Sequence, residues 1–152
     1  MSQFTRPLDI RKVEGTEYWT LQSEVVYHVG EYPSEEIITV PAGRKTDLGS
    51  KPRFSWLFVG HPLDEGAQAY VVHDELMEHP ANGLAEGAKP RSRRRCDQIF
   101  LEALKVLGVS WWKRSTMYFA VRVGERGVWE KYRKKDEARR IAELCKAKWE
   151  NG

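Results

Sequence analysis

The stretch Ala67-Gln68-Ala69-Tyr70-Val71-Val72-His73-Asp74-Glu75-Leu76-Met77 decides the fold. Within residues 64–78, Ala69, Val72, His73 and Leu76 recur at i, i+3, i+4 and i+7, which is one face of a helix. The chain changes period near residue 60. Upstream of it the apolar residues lie in short extended runs, and downstream they follow helical spacing. The stretch also carries the chain's most unusual chemistry. A histidine side chain titrates near neutral pH, and a carboxylate binds protons or hard cations. On an apolar segment each costs stability unless it finds a partner.

Working back toward the N-terminus, residues 7–13, 18–21, 24–29 and 36–40 are rich in Val, Ile, Tyr, Trp and Thr. Glu14-Gly15, Gly30 and Pro33-Ser34 break them with turn residues. Pro41-Ala42-Gly43 ends the last strong strand, and a short continuation is expected at 46–48. These runs predict an antiparallel meander.

Working forward, residues 80–91 read as a loop. Ser92 is an N-cap for a helix whose stripe is Cys96, Ile99, Phe100, Ala103, Leu104 and Leu107, closed by Gly108. Ser110 opens a third helix reaching about Val123, and Gly124 to Gly127 breaks it. Asp136 caps a last helix with Ala138, Ile141, Ala142, Cys145 and Trp149 turned inward. The fold class is therefore α+β, an N-terminal antiparallel β meander packed on a C-terminal bundle of about four helices. One domain spans 1–152, β-rich over 7–60 and helical over 64–150.

Composition bounds the function. Of 152 residues, 41% are hydrophobic and 31% charged, which reads as globular. The 25 basic and 22 acidic residues leave a net charge of +3. Basic runs at 89–95 and 131–135 invite a phosphate-binding reading, but no nucleic-acid motif surrounds them, so a solvated helix start and a polar linker are preferred. Cys96 and Cys145 make no disulfide framework and read as reduced core thiols. The N-terminus lacks an apolar signal region, and no run is long enough for a transmembrane segment. Synthesis in a cytoplasm is expected.

The groups that carry chemistry converge from three segments. His73 faces inward, and Asp74 lies about 100° further round the helix, so the two serve different partners. Asp97 sits beside the packed face of the next helix. If those helices run antiparallel, Asp97 reaches His73 and fixes the imidazole as a general base. The alternative is an Asp placed in a helix first turn for the dipole. Thr46-Asp47-Leu48-Gly49-Ser50-Lys51-Pro52-Arg53 is a polar loop after a strand. In it Asp47 is a candidate metal ligand beside Asp74. Ser50 has no nucleophile elbow around it, and Arg53 suits a phosphate or carboxylate. Thr46, Ser50 and Arg53 read as substrate or structural loop residues. Oxygen ligands from Asp74 and Asp47 favour Ca²⁺ or Mg²⁺ over zinc. The bland reading has Asp47 and Ser50 bonding their own turn.

Residues 40–53 resemble the V-P-x-G-x-x-T-D-L-A-S-x-P-R signature of a family of small uncharacterised proteins found in tailed phages and prophages. Ala69 to Met77 resembles its H-D-x-L-Y segment, and Ser92 to Leu104 its S-R-x-x-A-D-x-x-F-x-x-A-L segment. The likeness spans roughly 7–125, with Gly49 replacing the usual Ala and Met77 the usual Tyr. It implies a viral protein, made in the host cytoplasm and either virion-associated or released on lysis. More distantly, the His-Asp helix followed by an Asp-bearing helix is similar to the catalytic helix pair of secreted and parvoviral phospholipases of the A-two type. That likeness implies His73 as base, Asp97 as its support and Asp74 as a Ca²⁺ ligand. This chain lacks the Gly-rich calcium loop of those enzymes, so loop 46–53 would have to replace it.

Two functional expectations follow. In one, a hydrolase with a His73–Asp97 centre cleaves an ester or amide in a lipid or cell-envelope substrate, with cation assistance. In the other, a non-catalytic particle component or host-protein-binding factor keeps the same residues as a structural network. Trp111-Trp112 and Phe54-Ser55-Trp56 would then supply its contact surface to a phage or host protein partner.

Overall fold

In a computed structural model the described residues are 3–47 and 65–150. Among them, six short strands precede four helices. The strands are β1 (Gln3–Phe4), β2 (Ile10–Lys12), β3 (Trp19–Leu21), β4 (Val25–His28), β5 (Ile37–Val40) and β6 (Lys45–Thr46). The helices are α1 (Ala67–Glu78), α2 (Arg93–Val106), α3 (Trp111–Gly124) and α4 (Arg126–Glu150). The α+β class and the order of elements agree with the sequence. The single meander does not: the strands form two three-stranded antiparallel sheets, ordered β1-β4-β5 and β2-β3-β6. After β3 the chain crosses from one sheet to the other and returns at β6, and β1 was not legible as a strand.

Alternation fixes which face is buried. In β4, Val25 and Tyr27 point into the core; opposite them in β5 stand Ile38 and Val40. This face packs on α1. Helix α1 is buried on nearly every side, including Ala69, Tyr70, Val71, Val72, His73, Leu76 and Met77. It therefore has no solvated face, unlike the one-sided helix its spacing suggested, because sheet and α2 enclose it together. Helix α2 lies against α1 in the antiparallel sense. Cys96 Sγ donates to Leu76 O, His73 meets Asp97, and Tyr70 meets Phe100.

The ends of α2 follow its sequence. Ser92 Oγ accepts from Arg95 N at 3.3 Å. At the other end Gly108, with φ +78°, follows the last turn, and Val109 N donates to Leu104 O while Gly108 N donates to Lys105 O. That closure needs the left-handed backbone that glycine adopts without strain.

Helix α4 departs most from expectation. Only Glu125 separates it from α3, Gly127 lies inside it, and it runs for 25 residues. Asp136 is not a cap but an interior residue paired with Arg133 at 3.1 Å. Ala138, Ile141, Ala142 and Cys145 are exposed rather than inward. The first turns of α4 meet the body through Trp129, Tyr132 and Arg133. Helical spacing shows which residues share a face but not whether anything covers it.

Part of each basic run is used by the fold, while Lys89, Arg94, Lys131, Lys134 and Lys135 stay exposed. Arg91 is buried and donates to Glu36 Oε1, Pro80 O and Asn82 O, and Arg95 also reaches Glu36. Arg133 donates to Met77 O and Glu78 O, the open carbonyls at the end of α1.

Candidate functional site

The site is built where α1, α2 and the end of α3 meet. His73 Nε2 lies 2.9 Å from Asp97 Oδ1, and both side chains are fully buried. Phe100, one turn after Asp97, packs its ring 5.0 Å from the imidazole. Asp97 lies one residue beyond the first turn of α2, so a helix-dipole role does not account for it. Its second oxygen accepts from Arg122 of α3 at 2.8 Å, and Arg93 Nη1 donates to the Arg122 carbonyl at 3.0 Å. Burial alone would raise the Asp97 carboxyl. The hydrogen bonds from His73 and Arg122, with the charges of His73 and Arg93, outweigh it and hold the group below the usual carboxylate range.

The second imidazole nitrogen has a different setting. His73 Nδ1 lies 3.3 Å from Glu125 Oε2 but off the line of a hydrogen bond, and it makes none within the described residues. An ionised Asp97 accepts, so Nε2 carries a proton. Nδ1 is then the nitrogen left for proton exchange, facing a carboxylate. Arg122 and Glu125 were missed in the sequence. The signal was present for Glu125, which continues the inward series Met117, Val121 at i+4 and i+8.

Asp74 serves a separate cluster, as its position round the helix predicted. Thr46 Oγ1, at the end of β6, donates to Asp74 Oδ2 at 2.8 Å. Burial pushes the Asp74 carboxyl up to about 7, and the charge of Asp47 adds to it; Thr46 and His73 pull the other way, and Glu125 raises it further. Tyr132 of α4 is near enough that burial and the charges of Glu78 and Asp74 raise its phenol. So the structure brings His73 and Asp97 together, and Asp74, Thr46 and Asp47 together, on successive residues of one helix. Ser50 and Arg53 lie outside the described residues. Phe54 and Trp56 do as well.

Ca²⁺ takes six to eight oxygens and Mg²⁺ an octahedron. Among the described residues no group of three or more His, Cys, Asp and Glu stands at ligating spacing. Asp74 also holds a proton near neutrality, which a cation would have to displace. No step is therefore derived through a cation.

Residues 19–121, from β3 through most of α3, match the family described as Protein of unknown function (DUF1353). The chain belongs to the DUF1353 family. The matched region of this DUF1353 chain contains Thr46, Asp47, His73, Asp74 and Asp97 and ends before Arg122 and Glu125. Over 84 residues the chain is 33% identical to the uncharacterized protein y4jT of Sinorhizobium fredii (strain NBRC 101917 / NGR234). That stretch is 54% of this chain and 22% of the relative, so the chain spans under a quarter of that protein's length. No solved structure gives a significant match.

Proposed function

We propose that this DUF1353 protein is a hydrolase that uses His73 as general base. The observation that carries the reading is the asymmetry of the imidazole: Nε2 is tied to Asp97, and buried Nδ1 makes no hydrogen bond within the described residues. Asp97, held by Arg122, keeps the ring in one tautomer. Nδ1 takes a proton from water as the water oxygen bonds to a carbonyl carbon, leaving a tetrahedral oxyanion. Collapse of that oxyanion breaks the ester or amide bond, and the proton on Nδ1 passes to the leaving oxygen or nitrogen. Asp74 belongs to the separate Thr46 cluster and takes no part in this step. The substrate class is an ester or amide in a lipid or envelope polymer, as the phospholipase likeness suggests, in a protein of viral origin.

Hydrolysis of nitrophenyl esters and of phospholipid tests this in the wild type, His73→Gln and Asp97→Asn, with thermal unfolding measured alongside. General-base catalysis is worth about 10²–10⁴-fold, so a loss of that size in both variants, with the fold retained, is expected. Equal turnover in His73→Gln would sink the assignment.

A second reading is favoured by one observation: neither His73 nor Asp97 reaches solvent, and both Asp97 oxygens are satisfied. On it the cluster is a buried polar network in a non-catalytic protein that binds a viral or host partner. Large destabilisation in both variants, with no turnover by the wild type, supports it.

A further inference from the structure

The solvent side of α3 carries no charge. Its exposed positions are Trp111, Trp112, Ser115, Thr116, Phe119, Ala120 and Val123, four turns of one face. Trp111 is 72% exposed, Trp112 55%, Phe119 69% and Val123 64%. The opposite side is buried through Met117 and Val121. An ordinary surface helix presents charge to water and apolar residues to the core. This one presents apolar residues in both directions.

The two hydroxyls on this face do not offset its character. Ser115 Oγ donates to Trp111 O at 2.8 Å, and Thr116 Oγ1 to Trp112 O at 2.9 Å. Each donates its proton inside the helix, so neither hydroxyl loses a donated hydrogen bond when water leaves the face. Lys113 and Arg114 lie to the sides, whereas the charge of Arg122 is taken up by Asp97. Residues 111–150 hold twelve basic and six acidic residues, a net +6, whereas residues 1–110 hold thirteen and sixteen, a net −3.

We propose that the exposed face of α3 docks on an anionic phospholipid bilayer. Apolar side chains led by two tryptophans suit the boundary between headgroups and acyl chains, and the flanking Lys113 and Arg114, in a segment of net positive charge, suit anionic headgroups. A second copy of the chain would bring two net-positive surfaces together, which charge opposes. The surface is separate from the His73 cluster and does not depend on its chemistry.

Sedimentation with vesicles of phosphatidylglycerol and phosphatidylcholine tests the proposal, against vesicles of phosphatidylcholine alone. Salt is held at about 0.1 M, where the Debye length is about 10 Å. The wild type should sediment with the anionic vesicles, with a blue shift of tryptophan emission, and bind the neutral ones far more weakly. Trp112→Ser with Phe119→Ser should lose about tenfold or more in affinity, roughly 1.4 kcal/mol, with an unchanged far-ultraviolet spectrum. His73→Gln should bind as the wild type does, so the surface and the catalytic reading fail separately. The proposal is overturned if no vesicle binding occurs, or if the double variant binds equally well. It is also overturned if the double variant abolishes self-association or DNA binding in a wild type that ignores vesicles.

Discussion

His73 Nε2 and Asp97 Oδ1 stand 2.9 Å apart, with neither side chain reaching solvent. Asp97 also holds Arg122, so one carboxylate anchors groups from two further helices. Removing one member of a buried pair leaves the other charge uncompensated and costs about 3–5 kcal/mol. Asp97→Ala should therefore lower unfolding free energy by about that amount in urea denaturation at neutral pH. Arg122→Ala should cost less, because Arg122 is itself partly exposed and Asp97 keeps its contact with His73.

Asp74 and Asp97 give opposite pH dependences. The Asp74 carboxyl rises from an unfolded value of 3.8 to about 7 in the fold. The folded state therefore binds more protons over that interval, and stability falls as pH rises from about 4 to about 7. Its size is on the order of 2–4 kcal/mol. Asp74→Asn should flatten this slope and stabilise the protein above pH ~7, read from unfolding midpoints across pH. Asp47→Asn should lower the Asp74 titration, visible by carboxyl NMR. Asp97, held below the usual range, contributes stability that is lost as pH falls through its lowered value.

Gly83 has φ +75°, and a Cβ there would collide with the backbone carbonyl of Ile37. Next to it, Asn82 pairs with both backbone groups of Thr39 and so continues the sheet past its edge strand β5. Gly83→Ala should cost at least about 1–3 kcal/mol, since backbone and not a flexible side chain must move. Thermal unfolding of the variant reads it directly.

Arg91 joins the 80–91 turn to the start of β5 through Glu36, with two backbone carbonyls completing its contacts. Arg91→Ala removes the buried half of a pair whose Glu36 is partly exposed and keeps Arg95, and should cost about 1–3 kcal/mol, chiefly through the carbonyls left open. By contrast, removing the chain after residue 137 deletes only exposed positions of α4 among those described. Its unfolding midpoint should stay close to that of the full chain.

The sequence by itself determined the order of elements and the chemistry available to them. Alternation in β4 and β5, the capping residues Ser92 and Gly108, and the 3.6-residue spacing of Cys96 to Leu104 are local signals, written within a turn or two of where they act. They also gave His73 and Asp74 different partners, because a helix turns about 100° per residue. Only the tertiary structure decided who those partners were and what was covered. Glu125 meets His73 from 52 positions away in the chain, and Thr46 meets Asp74 from 28. The strands divided into two sheets, and Ala138, Ile141, Ala142 and Cys145 of α4 were left exposed while α1 was enclosed on nearly every side. Periodicity orders the residues of one element, whereas pairing and burial depend on which other elements arrive beside it, and that is a property of the packed chain alone.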